Sequence, residues 1–151
     1  MACVIREARY KDAPAISLVV QAALRETNAQ DYSQEIIDQV VRSFSPAEIL
    51  RFLASRRVYV ACVEDRIVAT GSLAGDVIRS VFVNPNYQRQ GVGRHLMTTI
   101  ESVAAQNGVE TLRVPSSITA QGFYLSLGFE KVRDEFHGAE RTIVMEKVLG
   151  Q

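Results

Sequence analysis

The residues most suited to chemistry lie between Val81 and Arg94, in the stretch VFVNPNYQRQGVGR. An apolar strand ends at an Asn84-Pro85-Asn86 turn, a Gln/Arg-rich loop follows, and Gly91 and Gly93 open a long amphipathic segment. The first amides of a helix have no intrahelical acceptor, and the helix dipole adds partial positive charge beside them. Glycine at positions 91 and 93 lets a phosphate approach the backbone, and Arg89 and Arg94 add charge. This order builds an anion cradle at a helix N-terminus. Two better-known phosphate loops are excluded: Leu96 stands where the dinucleotide fingerprint needs a third glycine, and the Gly-Lys-Ser/Thr of the nucleotide P-loop is absent. Taken alone, the two glycines also fit a turn that only allows close helix–strand packing.

Few other residues have the spacing of a reactive site. No His/Cys/Asp/Glu set has metal-ligand spacing, so no metal is expected, and no Ser-His-Asp or Cys-His arrangement is signalled. Cys3 and Cys62 are too few for a disulfide framework, and Cys62, in an apolar strand, reads as a small core residue. Seventeen basic residues balance seventeen acidic ones, so no net field draws nucleic acid or an anionic membrane. A chain of 151 residues suits one domain, 1–151. The N-terminus lacks the apolar core of a signal peptide, and no apolar run approaches the ~20 residues of a membrane span. A soluble, cytoplasmic protein is the expectation.

The elements that must position the loop follow from periodicity. Val4–Tyr10 reads as a strand. Asp12 is a candidate N-cap for a helix reaching Thr27, with Ile16, Val19, Val20, Ala23 and Leu24 on one face. After a break at Asn28–Asp31, Ser33–Val41 and Ser45–Ala54 read as helices, the second opened by the capping box Ser45-Pro46-Ala47-Glu48. Val58–Glu64 and Ile67–Leu73 form a hairpin, and Val77–Val83 is the strand before the glycine loop. A helix from Gly91 to Gln106 is followed by a strand, Val109–Val114, ended by Pro115. Ser116 or Ser117 caps a helix reaching Leu127, and Phe129–Glu135 and Arg141–Val148 close the chain as antiparallel strands. The order argues for a mixed α/β (α+β) sheet with helices on both faces, in which Val77–Val83 and Val109–Val114 form one right-handed parallel crossover. A ligand at the carboxyl ends of those strands meets the glycine loop.

In that context Gln88-x-x-Gly91-x-Gly93 resembles the acetyl-CoA signature of the GNAT superfamily of N-acetyltransferases, Gln/Arg-x-x-Gly-x-Gly/Ala. A second match is Phe123-Tyr124 followed four residues later by Gly128-Phe129, with Tyr124 lying 36 positions after Gln88. The resemblance covers Ile67 to about Val148; Val4 to Arg57 matches only in element order. It implies a mostly antiparallel sheet of about seven strands with one parallel pair splayed at the cofactor site. It also implies acetyl-CoA as cosubstrate, its pyrophosphate on the amides of Arg89, Gln90, Gly91, Val92, Gly93 and Arg94. Val81, Phe82 and Val83 would pair with the pantetheine arm, the N–H of Phe82 or Val83 polarising the thioester carbonyl. Ser117 would line the opposite wall, where many members carry Asn.

Tyr124 is the candidate general acid. A free thiol has a pKa near ~8.5 and a phenol near ~10, so a tyrosine is protonated at neutral pH and can serve a departing thiolate. The plain alternative is a core aromatic. A base for the amine is not evident, because neither Val77–Val81 nor Leu112–Val114 carries an Asp or Glu in its middle. Glu26 and Asp31 beside the helix break, and His137 in the last hairpin, are candidate acceptor-site residues, each equally open to a solvated role. His95 falls on the polar face of its helix. The expected activity is direct transfer of an acetyl group to an amine, on a small molecule or on a protein or peptide, and homodimers are common among such proteins. Two other readings stay open: a non-catalytic acyl-CoA-binding or sensing module on the same fold, and an interaction protein whose loop is only a turn.

Overall fold

The computed structural model describes residues 2–150. In chain order the elements are β1 (Cys3–Glu7), α1 (Ala13–Glu26), α2 (Gln34–Arg42), α3 (Pro46–Ser55), β2 (Arg57–Val63), β3 (Arg66–Ala74), β4 (Val77–Val83), α4 (Val92–Gln106), β5 (Thr111–Ser117), α5 (Gln121–Ser126), β6 (Glu130–His137) and β7 (Glu140–Val148). The strands form one sheet in the order β1-β2-β3-β4-β5-β7-β6. Every neighbouring pair is antiparallel except β4 and β5, which run parallel and are joined through α4. On one face Leu96, Met97, Ile100 and Ala104 of α4 pack over Val68, Ile78 and Leu112. On the other, Ile16, Val20 and Leu24 of α1, with Ile37 and Ile49, cover Val58 and Val60. The near-continuous apolar runs of β2 and β3, buried on both faces, and the 3.6-residue stripes of α1 and α4 produce this layered arrangement directly.

Several boundaries differ from the sequence reading, each for a local reason. The first strand stops at Glu7, not Tyr10, because a single 3-10 turn, Tyr10–Asp12, intervenes. Asp12 does not cap α1 with its side chain. Its carboxylate instead accepts from the Arg9 N–H at 2.7 Å and from Arg6 Nη1 and Nη2 at 2.8 and 3.1 Å. Ser45 does cap α3, accepting from the Glu48 N–H at 3.3 Å, but Glu48 turns to Arg51 at 3.3 Å. Pro115 does not end β5, which continues through it to Ser117. The Arg113 N–H donates to Asp76 O, just before β4. By strand alternation the missing N–H of Pro115 also faces β4. No ladder exists there to lose it, because β4 and β5 pair only at Val77 and Arg113. The last helix is correspondingly shorter, starting at Gln121, and Ser117 Oγ caps the preceding turn by accepting from the Ala120 N–H at 3.1 Å.

Beyond Val77 the two parallel strands separate, while β5 stays paired to β7 from Thr111 to Ser117. A bulge in β4 adds to the opening: Phe82 pairs with Thr70 but Arg79 pairs with Ser72, so Ser80 and Val81 share the space opposite Gly71. Ser80 sits in the left-handed region, at φ 57°.

Candidate active site

The glycine loop presents a run of free donors. The N–H groups of residues 89 to 94 have no protein acceptor among the described residues, and the helical ladder of α4 starts with the His95 N–H on Gly91 O at 2.9 Å. Arg89 and Gly91 both adopt left-handed backbone, φ 63° and 82°, which turns successive amides to one side. Gly91 thus serves conformation, whereas Gly93 serves proximity: a Cβ there would meet Phe123 Cζ at 3.2 Å and Val83 Cγ2 at 3.4 Å. Gln88, the polar residue of the signature, faces inward. Its Nε2 donates to Thr27 Oγ1 at 3.2 Å and to Val83 O at 3.3 Å, fastening the loop to α1 and β4.

This loop forms one wall of a cavity of about 740 Å³ that runs along the splayed end of β4 to α5. Val81, Phe82, Val83, Arg89, Gly91, Gly93, Arg94, Ser117 and Tyr124 all line it. Gln90 and Val92 do not. The Gln90 side chain bends back to Asn86 O, and Val92 is buried in the core, so only their backbone N–H groups belong to the cradle. A second cavity of about 310 Å³ lies on the α1–α3 side, between those helices and the β6–β7 hairpin. The two share Asn28, Val81, Phe82, Ser117, Ala120 and Tyr124. A molecule in one therefore meets a molecule in the other at Tyr124.

Tyr124 is 3% exposed, wedged edge-on between Phe123 and Phe129 at ring distances of 5.2 and 5.5 Å. Its hydroxyl has no hydrogen-bond partner among the described residues, and burial pushes its pKa well above the ordinary phenol value. It is thus a protonated donor with nothing in the fold to donate to. Across the seam, backbone direction decides which amides are available. The Asn84 N–H donates to Val68 O on β3, so the Phe82 N–H, two residues back, also faces β3. Val81 and Val83 turn theirs into the gap, and the Gln88 contact to Val83 O agrees with that direction. Of the two amides singled out by the resemblance, Val83 alone presents its N–H to the opening.

The remaining sequence candidates separate. His137 lines the smaller cavity together with Glu140. Asp31 lines the larger one, on the loop side, accepting from Thr119 Oγ1 at 2.8 Å. Glu26 is exposed and borders neither. Several polar cavity residues escaped sequence reading, among them Asn28, Tyr32, Arg56, Arg79, Ser80 and Glu140. Tyr32 Oη accepts from the Ile118 N–H and donates to Arg141 O, both at 2.8 Å, joining the α1–α2 connection to β7 and the β5–α5 turn. Only the break after α1 hinted at Asn28 and Tyr32; Arg56 and Ser80 carry no local signal. Among the described residues no group of His, Cys, Asp and Glu could hold a metal ion, and no helix is long and apolar enough to cross a membrane.

A mostly antiparallel sheet that splays one parallel pair beside a loop of free amides is the architecture the GNAT resemblance implies. The sequence from 28 to 149 matches the acetyltransferase (GNAT) domain, and the chain belongs to that family of N-acetyltransferases. No curated protein matches it by sequence. Among solved structures, a GCN5-related N-acetyltransferase from Rhodopseudomonas palustris is similar with a TM-score of 0.94 at 23% identity, covering 99% of this chain and 97% of that one. The PaiA N-acetyltransferase of Thermoplasma acidophilum, solved with coenzyme A, gives 0.82 at 18% identity over 98% and 99% of the two chains. The ribosomal-protein-S18-alanine N-acetyltransferase of Escherichia coli gives 0.69 at 20% identity over 99% and 96%. At these identities the likeness is one of fold.

Proposed function

We propose that this protein is an acetyl-CoA-dependent N-acetyltransferase that moves the acetyl group directly to an amine at the seam between its two cavities. The carrying observation is Tyr124: a buried, protonated phenol without a protein partner, on the wall the two cavities share. The unpartnered amides of residues 89 to 94 and the flanking Arg89 and Arg94 fit a pyrophosphate. Val81 and Val83 fit the amide-bearing pantetheine arm, since their N–H groups lie unpaired along the open strand edge. Acetyl-CoA supplies an acyl group activated as a thioester.

The protein's own part is positioning and proton handling. The Val83 N–H is aimed where a thioester carbonyl gains negative charge, and Tyr124 donates its phenolic hydrogen toward the departing sulfur. An alkyl amine, with a pKa near ~10.4, arrives protonated, and Glu140 and His137 are the groups on the smaller cavity able to take that proton. The strands beside the gap carry no carboxylate in their middle, which favours a second reading, an acyl-CoA-binding module without turnover. Release of coenzyme A thiol from acetyl-CoA across an amine panel separates the two. Amine-dependent release is expected, and tight acetyl-CoA binding with no release from any amine would overturn catalysis in favour of sensing.

A further inference from the structure

The smaller cavity carries a charge pattern that the acyl-transfer reading does not use. Its wall is apolar, built by Ile36, Val40, Phe44 and Phe52, and Arg56 and Arg79 enter from one end. Arg56 is half-buried. Its guanidinium lies 4.0 Å from the Phe52 ring centroid, and Nη1 donates to Ser80 Oγ at 3.3 Å. Neither arginine forms an ion pair among the described residues, and Arg79 acts as a like charge on Arg56. Burial and that neighbour together lower the Arg56 pKa. A half-buried guanidinium with most of its donors unused, beside a second, exposed arginine, favours an anion that joins the two. The planar fork of arginine matches a carboxylate bidentately.

Position links this pair to the reacting centre. Ser80, held against Arg56, is the residue before Val81, whose N–H opens into the gap. Arg56, Arg79 and Tyr124 line the same cavity of about 310 Å³, so a carboxylate on Arg56 lies within a small molecule's reach of the seam at Tyr124. The apolar wall is left for a side chain. Resting on the acetyltransferase reading above, we infer that the acceptor is an amine bearing a carboxylate close to the amino group and an apolar side chain, with Arg56 and Arg79 binding the carboxylate. A polyamine would set a second cation against two arginines.

The test uses L-phenylalanine, L-phenylalaninamide and spermidine, with turnover by thiol release and binding to the coenzyme A-saturated protein by calorimetry. Phenylalanine is expected to bind and react best, with kcat/KM at least tenfold above the amide. The amide's amine is the more easily deprotonated, so basicity cannot create that preference. Arg79→Gln, at an exposed position, and Arg56→Gln should each erase the preference by raising KM for phenylalanine while leaving coenzyme A binding unchanged. Equal use of acid and amide, preference for spermidine, absence of acceptor binding at millimolar concentration, or an unaltered preference in Arg79→Gln overturns the inference. Arginine-dependent phenylalanine binding without turnover would leave this subsite standing and sink the catalytic reading instead.

Discussion

Replacing Tyr124 with phenylalanine removes one oxygen from the seam and little else. The ring keeps its contacts with Phe123 and Phe129, and the lost hydroxyl has no partner in the fold. Stability should therefore stay within about 0.5 kcal/mol of the parent protein. The cost falls on the reaction. A hydrogen bond to a charged acceptor contributes about 1.5–3 kcal/mol, so kcat should drop by about 10- to 150-fold. Burial holds the phenol above ~10, whereas a thiol sits near ~8.5, so complete proton transfer from Tyr124 is uphill. Tyr124 then acts by hydrogen bonding to the sulfur as it gains charge, and the final proton comes from water. The kcat–pH profile accordingly has no limb from Tyr124 below about pH 10, because the raised pKa keeps the donor form. Thiol release at saturating acetyl-CoA reads kcat, with calorimetric coenzyme A affinity and thermal melting as controls. A kcat within threefold of the parent, or a melting temperature several degrees lower, would refute this role and leave Tyr124 as a packing residue.

Other perturbations probe the supports of the site. Gly91→Ala keeps open space around its Cβ but forces alanine into φ 82°; denaturant titration should show a loss of about 1–2 kcal/mol, with weaker coenzyme A binding in calorimetry. Tyr32→Phe strips the Ile118 N–H and Arg141 O of their shared partner; a cost of about 1–3 kcal/mol and a raised acceptor KM at unchanged coenzyme A affinity are expected. Asp12, 6% exposed, is held below the usual carboxylate range by Arg6, aided by the Arg9 N–H and opposed by burial. Its contribution is present above the unfolded pKa of ~3.9 and fades as pH falls toward the lower folded value. Asp12→Asn should cost about 1.5–3 kcal/mol at pH 7 in urea unfolding, and the gap to the parent should narrow below pH 4.

The local rules read well wherever one residue type has one job. The stripe of Ile16, Val19, Val20, Ala23 and Leu24 is buried as a face of α1, and the glycine loop opens α4. Reading failed where the arrangement of neighbouring elements, and not the residue type, decides. Asp12 has the type of an N-cap but is drawn to Arg6 on β1. Pro115 has the type of a strand breaker but falls on the one side of β5 where no ladder runs. Both errors come from applying local propensity at a point where a tertiary contact outweighs it.

The sequence by itself determined the anion cradle of this protein. Glycines at 91 and 93, a preceding strand and a following helix are contiguous, so backbone conformation and helix-end electrostatics suffice to specify an anion cradle. Tertiary structure decided the smaller cavity. Arg56 from the end of α3, Ser80 from the β4 bulge, Asn28 and Tyr32 from the α1–α2 connection and His137 from the last hairpin converge only when the sheet closes and its parallel pair splays. No spacing in the chain records that meeting, because it is set by strand register and helix packing between segments as much as 109 residues apart, as Tyr32 and Arg141 are.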